Sequence, residues 1–182
     1  DWLYANALRR ETLPRYLPPA DARILVNHLS SGLPRSGRRG ADIADVFAET
    51  VNQGLAATKL EPSDVECGHV GNFVAELFAA QGLLGGFFGL VHPDFDGMPT
   101  ARHEAACASG SVAILAASAE IEAGRYDCAL VVGAEQERNV PGDQASINLG
   151  AAAWIGHEGE GVVHMWPHMF SRLGEEYDRR YG

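Results

Sequence analysis

Residues 101–132 constrain the fold of this chain more than any other segment. A short run over residues 101–106 leads into Cys107, a run of Ala, Ser and larger apolar residues follows over residues 109–123, and residues 128–132 form an apolar run. A strand, a helix and a second strand in this order pack as a right-handed crossover between parallel strands. The segment therefore predicts a parallel sheet with helices packed against it.

The helical run over residues 109–123 is apolar on nearly all of its sides. A helix of this kind is buried rather than amphipathic, and small Ala and Ser side chains allow neighbouring backbones to approach closely. We therefore expect it to be a central helix of a layered fold. We also expect the isolated chain not to be a stable monomer, because several apolar side chains left in water would exceed a domain's marginal stability.

Patterns elsewhere along the chain extend this alternation of strands and helices. They predict an irregular lead-in with a short helix over residues 1–22, strands over 23–28 and 65–70, a loop over 30–40, an amphipathic helix over 42–59, helices over 75–88 and 143–154, and a loop over 156–161. The sequence accordingly divides into a lead-in (1–22), an α/β domain (23–135) and a less regular region (136–182).

Composition excludes several classes of protein. The net charge of −10 argues against nucleic-acid binding, which needs a basic face. No stretch of about 18 apolar residues indicates a membrane span, and no charged and apolar leader indicates secretion. Three widely spaced cysteines without a CxxC pair favour free thiols in a reducing compartment. We therefore predict a cytoplasmic protein.

Cys107 lies at a predicted turn from a strand into a helix. Unpaired helix N–H groups and the positive end of the helix dipole favour a thiolate there, and the same N–H groups can hold an oxyanion. This arrangement suits a thiol nucleophile for acyl transfer. A buried structural thiol is the alternative, and it is the role that we predict for Cys67 and Cys128.

Two short patterns raise the question of a metal site. His103 and Glu104, followed by Cys107, differ by one residue type from the HExxH signature, and His164 and His168 stand four residues apart. The first pattern lacks the second His, and Pro167 disturbs the helix that the second pair would need. We therefore predict no metal ligands at either pattern.

Four blocks of the sequence resemble the thiolase superfamily, and most closely its thiolase and sterol-carrier-protein-thiolase branch. They are GHVGN over residues 68–72, EAACASGS over 104–111, ALVVGAE over 129–135 and PHM over 167–169. The resemblance implies a layered α/β/α fold, of which this chain is the N-terminal half, and a role in lipid metabolism. It also implies that Cys107 is acylated by a coenzyme A thioester, the substrate, with no covalently bound cofactor.

The resemblance extends to the region after residue 135, which would begin the substrate-covering loop region of the family. His168 and Met169 match a His-Met pair that borders the acyl and pantetheine tunnel. A soft Met beside an acyl chain is physically reasonable. The alternative is a packing cluster of Trp166, Met169 and Phe170 on a short helix, and the sequence leaves both interpretations open.

One departure from the family is the absence of its later motifs. A complete thiolase is about twice as long, and its second half carries a Gly-His-Pro motif and a second catalytic Cys. The one His-Pro pair here is His92-Pro93, upstream of Cys107 and preceded by Val91. We therefore expect the site to be completed by a C-terminal thiolase half or a partner chain, in a homodimer or hetero-oligomer, and the isolated chain to be inactive.

Two functions follow from these features. The first is an acyltransferase that catalyses Claisen condensation or thiolytic cleavage through an acyl-cysteine intermediate. The second is a thiolase-fold scaffold or aldolase-type subunit of a heteromeric complex. The presence of Cys107 within the EAACASGS block favours the first.

Overall fold

A five-stranded sheet forms the centre of the computed structural model, which describes residues 7–8, 23–26 and 41–182. The strands are β1 (Ala7–Leu8), β2 (Arg23–Val26), β3 (Cys67–Gly71), β4 (Thr100–His103) and β5 (Cys128–Gly133), in the order β1-β2-β5-β3-β4. Strand β1 pairs antiparallel with β2, and all other neighbours are parallel. The predicted parallel sheet is therefore confirmed. The short helix predicted in the lead-in does not include residues 7–8, because these residues pair with β2 as a strand. The loop predicted over residues 30–40 lies outside the described residues.

Seven α-helices are present in the described part of the chain. They are α1 (Ile43–Thr58), α2 (Ala75–Ala79), α3 (Phe88–Val91), α4 (Ser109–Glu122), α5 (Gly142–Leu149), α6 (Ile155–Glu158) and α7 (Met165–Tyr181). Short 3₁₀ turns occur at Pro62–Asp64, Leu84–Phe87, Pro93–Phe95, Ala106–Ala108 and Gly150–Ala152. None of the helices in these described ranges has both the length and the apolar character of a membrane span.

Helices cover the sheet on both faces. Successive side chains of β5 point to opposite faces, as strand geometry requires. Leu130 and Val132 belong to one buried cluster with Phe47 of α1, whereas Ala129 and Val131 belong to a second cluster with Ala117 of α4. The expected α/β/α layering is therefore confirmed, with α1 and α4 on opposite sides of the sheet.

Helix α1 confirms the amphipathic helix predicted over residues 42–59. Asp42 caps it, because its Oδ1 accepts hydrogen bonds from the N–H groups of Ala44 and Asp45 at 2.8 and 2.9 Å. Val46 and Phe47 lie on its buried face. The spacing of apolar residues thus identified both the helix and the side that packs on the sheet.

The single helix predicted over residues 75–88 is wrong. The chain forms α2, leaves the helical conformation, and then forms the 3₁₀ turn and α3. Ala80 and Leu83 have left-handed backbone conformations, with φ of 53° and 50°, which interrupt a right-handed helix. Gly85 explains the close packing, because a Cβ there would lie 2.8 Å from Oγ1 of Thr100 on β4.

Helix α4 confirms the helix predicted over residues 109–123. The prediction that this helix is buried on all sides is wrong. Its buried residues recur every four positions, at Ser109, Ala113, Ala117 and Ile121. These positions form one face, which packs on the sheet, whereas the side chain of Leu115 on another face is 68% exposed. The sheet can cover only one side of a helix. A partner that covers the remaining apolar side stays a prediction.

The C-terminal region is more helical than the sequence predicted. The helix predicted over residues 143–154 ends as α5 at Leu149 and continues as a 3₁₀ turn, and α6 occupies part of the predicted loop over 156–161. Helix α7 then runs over Met165–Tyr181. Pro167 lies in its first turn, where a missing N–H breaks no intrahelical hydrogen bond.

Candidate active site

Cys107 lies in the connection between β4 and α4. Strand β4 ends at His103, Cys107 is the middle residue of the 3₁₀ turn, and α4 begins at Ser109. Cys107 is exposed, whereas Cys67 and Cys128 are buried. The connection leaves the carboxyl end of a parallel strand, which is the edge where open α/β sheets bind their ligands.

The backbone of this turn is strained at Ala106 and is held in place by hydrogen bonds. Ala106 has φ of 48°, in the left-handed region that costs a residue with a Cβ about 1–2 kcal/mol. Three hydrogen bonds hold the turn: Ala105 N–H donates to Ser109 Oγ at 2.9 Å, that hydroxyl donates to the Ala106 carbonyl at 2.7 Å, and Ala106 N–H donates to Glu104 Oε1 at 2.6 Å. The surrounding structure thus fixes Cys107 between strained and hydrogen-bonded neighbours.

Two glycines let the start of α4 approach the sheet. A Cβ at Gly71, the last residue of β3, would lie 2.7 Å from Cα of Gly110 and 2.8 Å from its N atom. Such distances do not occur between real atoms at these positions, so only glycine at position 71 permits this backbone contact. The contact sets the height of the first turn of α4, and therefore of Cys107, above the sheet.

Asn72 joins the carboxyl ends of the three neighbouring strands. Its N–H donates to the carbonyl of His103, the last residue of β4, at 3.2 Å, and its Nδ2 donates to the carbonyl of Ala134, just after β5, at 2.7 Å. Its Oδ1 accepts the N–H of Ala75 at 3.2 Å, which closes the turn after β3. Asn72 therefore has a structural role: it bridges the turn after β3 and ties the strand ends beneath the Cys107 turn.

Glu135 is partly buried and takes part in the same hydrogen-bond network. Its Oε2 accepts the N–H of Phe73 at 2.7 Å, while the carbonyl of Phe73 accepts from Nη2 of Arg102 at 2.8 Å. Arg102 also pairs with Glu76. Burial raises the pKa of Glu135 above its usual value, although the hydrogen bond from Phe73 opposes this shift.

Replacing Glu135 by glutamine is expected to make stability less dependent on pH. Because the pKa of Glu135 is higher in the folded protein than the ordinary value of about 4.3, the folded state binds a proton more readily, and wild-type stability falls as pH rises through this window. A glutamine oxygen can still accept from Phe73. Urea unfolding at several pH values should show the variant more stable near neutral pH, with the difference narrowing as pH falls towards the ordinary carboxyl value. A difference that is constant with pH would contradict the shift.

His168 and Met169 lie in the first turns of α7 and are partly buried. In the same turns the rings of Trp166 and Phe170 stack with centroids 5.8 Å apart, and Trp166 Nε1 donates to the carbonyl of Leu149 at 2.9 Å. Two of the three residues of the packing cluster considered from the sequence, Trp166 and Phe170, are therefore in contact. A role for His168 and Met169 beside a substrate stays a prediction.

A second cluster of chemically active side chains lies on the α4 side of the sheet. His69, which is 3% exposed, has Nδ1 2.9 Å from Nε2 of His103 and Nε2 3.1 Å from Oε2 of Glu120. Sγ of Cys67 lies 3.8 Å from the same Nε2. The packing role predicted for Cys67 is therefore incomplete, because the thiol lies beside two polar side chains.

Burial governs the protonation of this cluster. The pKa of Cys67 is raised to about 12, mainly by burial of the thiol and next by the nearby Glu120 carboxylate. The thiol of Cys67 therefore keeps its proton near neutral pH. The pKa of His103 is lowered, mainly by burial and next by the neighbouring His69.

The sequence signal for this cluster was the pair Cys67 and His69, because residues two apart on a strand share a face. Glu120 could be added only once the fold was known.

The absence of metal ligands at the two patterns considered from the sequence stays a prediction. Residues 103–107 end a strand and form a 3₁₀ turn, so the helical spacing of HExxH is absent. Nδ1 of His164 instead lies 3.0 Å from Oγ of Ser146. In the described ranges, the group of side chains that could converge on a metal ion is Cys67, His69 and Glu120.

Comparisons with known proteins agree with this architecture. Residues 32–163 match the family model of the thiolase N-terminal domain. Over 138 residues the chain is 28% identical to an acetyl-CoA acetyltransferase from Methanocaldococcus jannaschii, an alignment that covers 75% of this chain and 34% of that protein. The matched part thus spans about a third of the relative's length. The family match covers well over half of the chain, which therefore belongs to the thiolase family as an N-terminal domain.

Proposed function

We propose that the protein is a thiolase-type acyltransferase in which Cys107 accepts the acyl group of a coenzyme A thioester. The observation that carries this proposal is the exposed Cys107 in a braced turn at the start of α4, on the carboxyl edge of a parallel sheet. The acetyl-CoA acetyltransferase relative supports the same substrate class.

The chemistry follows from the position of the thiol. The Cys107 thiolate attacks the thioester carbonyl carbon, and the resulting oxyanion accepts a hydrogen bond from the Cys107 N–H near the positive end of α4. The bond to the coenzyme A sulfur then breaks, coenzyme A leaves with a proton, and Cys107 holds the acyl group. In condensation, the carbanion of a second acyl thioester then takes the acyl group from Cys107. In thiolysis, Cys107 instead attacks the 3-oxo carbon of a 3-oxoacyl-coenzyme A, the C–C bond breaks, the acyl-coenzyme A carbanion leaves and takes a proton, and coenzyme A then takes the acyl group from Cys107.

The proposed reaction needs groups in addition to Cys107. The base that removes the Cys107 proton, the second oxyanion donor and a second cysteine come from a C-terminal thiolase half or a partner chain. His168 and Met169 border the acyl and pantetheine tunnel in this proposal, as part of the region from residue 136 that begins the substrate cover. The exposed side of α4 around Leu115 offers a surface for the completing part.

Alkylation of the assembled protein tests the nucleophile. Iodoacetamide should label Cys107 first, and preincubation with acetyl-CoA should protect it, because an acylated sulfur cannot be alkylated. The buried Cys67 and Cys128 serve as internal controls for unfolding. Peptide mapping by mass spectrometry measures all three. Preferential labelling of Cys67 or Cys128 in the folded assembly, or labelling of Cys107 without protection by any acyl-CoA, would favour the scaffold or aldolase-type subunit instead.

A further inference from the structure

The cluster of Cys67, His69 and Glu120 is separate from the turn that carries Cys107. Cys67 and His69 lie on β3, facing α4, while Glu120 lies in the last turn of α4. Their ligand atoms, one from each side chain, all lie within 4.8 Å of one another. We propose that these three side chains bind one Zn²⁺ ion, which joins β3 to α4, and this proposal does not depend on the chemistry of Cys107.

The distances fit tetrahedral coordination. A Zn–S bond of about 2.3 Å and Zn–N and Zn–O bonds of about 2.0 Å hold S and N about 3.5 Å apart, and N and O about 3.3 Å apart. Sγ of Cys67 lies 3.8 Å from Nε2 of His69, and that nitrogen lies 3.1 Å from Oε2 of Glu120. Both distances are within a few tenths of an ångström of the tetrahedral values, and Sγ of Cys67 and the Glu120 carboxylate, within 4.8 Å of each other, must close to about 3.5 Å around the ion.

His103 supplies the support that a zinc-bound histidine requires. Ligating histidines donate their other ring N–H to a fixed acceptor, which sets the tautomer. Nδ1 of His69 lies 2.9 Å from Nε2 of His103, and the two rings stack with centroids 5.1 Å apart. When Nε2 of His69 binds the metal, its Nδ1–H donates to His103, and without the metal the same pair can reverse donor and acceptor.

The ligand types favour zinc over other common cations. A thiolate is too soft a ligand for Mg²⁺ or Ca²⁺, whereas a set of thiolate, imidazole and carboxylate suits Zn²⁺. The charges also balance, because one thiolate and one carboxylate together neutralise the ion. Binding breaks the S–H bond of Cys67, forms an S–Zn bond and releases the proton to solvent.

The surroundings leave a route for the ion. The side chain of His69 is 4% exposed and that of Glu120 is 30% exposed, so the site opens towards solvent through Glu120. Arg125 Nη1 lies 3.8 Å from Oε1 of Glu120, whereas Oε2 is the carboxylate oxygen near His69. Cys128 and Glu66 also act electrostatically on Cys67. A water molecule from the open side would be the fourth ligand.

Cobalt titration of the purified protein tests the site, because Co²⁺ reports its ligands by absorption. We expect one Co²⁺ per chain, with a thiolate-to-cobalt charge-transfer band, and displacement by Zn²⁺. Cys67→Ala should abolish the band, and Glu120→Gln, a change at a partly exposed side chain, should weaken Zn²⁺ binding. His103→Asn should weaken Zn²⁺ binding about 10- to 100-fold and keep the band. The matched controls Cys128→Ala and Cys107→Ser should bind Co²⁺ as the wild type does.

X-ray absorption at the zinc edge decides the matter on the wild-type protein alone, even if Cys67→Ala fails to fold. The expected first shell holds one sulfur at about 2.3 Å and nitrogen or oxygen ligands at about 2.0 Å. Binding of less than one ion per chain, a shell without sulfur, a band that survives Cys67→Ala, or a band that is lost in Cys107→Ser or Cys128→Ala would each overturn the proposal.

Discussion

Replacing Cys107 by alanine is expected to lower the rate of acyl transfer by the assembled protein on the order of 10³-fold or more. The proposed mechanism routes both half-reactions through the Cys107 sulfur, and removal of a catalytic nucleophile costs far more than removal of a binding contact. Cys107 is exposed and its turn is held by the backbone and by Ser109, so the substitution should leave the fold intact. The measurement is coenzyme A release during condensation of acetyl-CoA, or coenzyme A consumption during thiolysis of acetoacetyl-CoA, with urea unfolding of each variant measured in parallel.

Cys128→Ala provides the matched control for this experiment. Cys128 is buried in β5, and its loss should lower stability slightly without removing turnover. Intact-mass measurement should show an acyl adduct on the wild type and on Cys128→Ala, but not on Cys107→Ala. Turnover by Cys107→Ala within about tenfold of the wild-type rate would contradict the acyl-cysteine mechanism and leave the scaffold or aldolase-type role.

The parallel strand and helix order around Cys107 could be predicted because it depends on local signals. The apolar run over residues 128–132 and the small-residue helix before it identify a crossover unit without any knowledge of the rest of the chain. The position of Cys107 at the strand-to-helix turn follows directly from that unit. The strain at Ala106 could not be predicted, since an alanine gives no sign of a left-handed backbone.

The break in the helix predicted over residues 75–88 shows where local signals fail. Apolar residues recur there often enough to indicate a helix, but Ala80 and Leu83 adopt left-handed conformations, at the end of α2 and just before the 3₁₀ turn. Phe88 makes edge-on contacts with Phe47 and Phe95, at centroid distances of 5.0 and 5.9 Å, which draw the chain back onto the sheet. Tertiary packing thus overrides helix propensity in this segment.

The cluster around His69 could not be assembled from the sequence. His69 and Glu120 are 51 residues apart in the sequence. They meet only because α4 packs against the face of the sheet to which the His69 side chain points. The exposed face of α4 poses the opposite problem. The sequence shows Leu115 as apolar, but it cannot tell which apolar positions of α4 face the sheet and which lie on the exposed side.

Gly71→Ala is expected to destabilise the protein by about 3 kcal/mol, at the upper end of the range for overpacked substitutions. The new Cβ would lie 2.7 Å from Cα of Gly110 and 3.0 Å from the carbonyl carbon of Ser109, which are backbone atoms that cannot rotate away. Either β3 or the start of α4 must move. Because Cys107 lies two residues before Ser109, the same shift should slow acyl transfer and change the rate at which iodoacetamide labels Cys107.

Gly110→Ala tests the same contact from its other side. A Cβ at Gly110 would have no atom within 4 Å, and alanine favours a helix over glycine, so this variant should be more stable than wild type by about 0.5–1 kcal/mol. Urea unfolding of both variants gives the two free energies, which should differ from wild type in opposite directions. Equal stability of Gly71→Ala and wild type would show that the backbones do not meet here, and the position of Cys107 would then depend on the Ser109 and Glu104 hydrogen bonds alone.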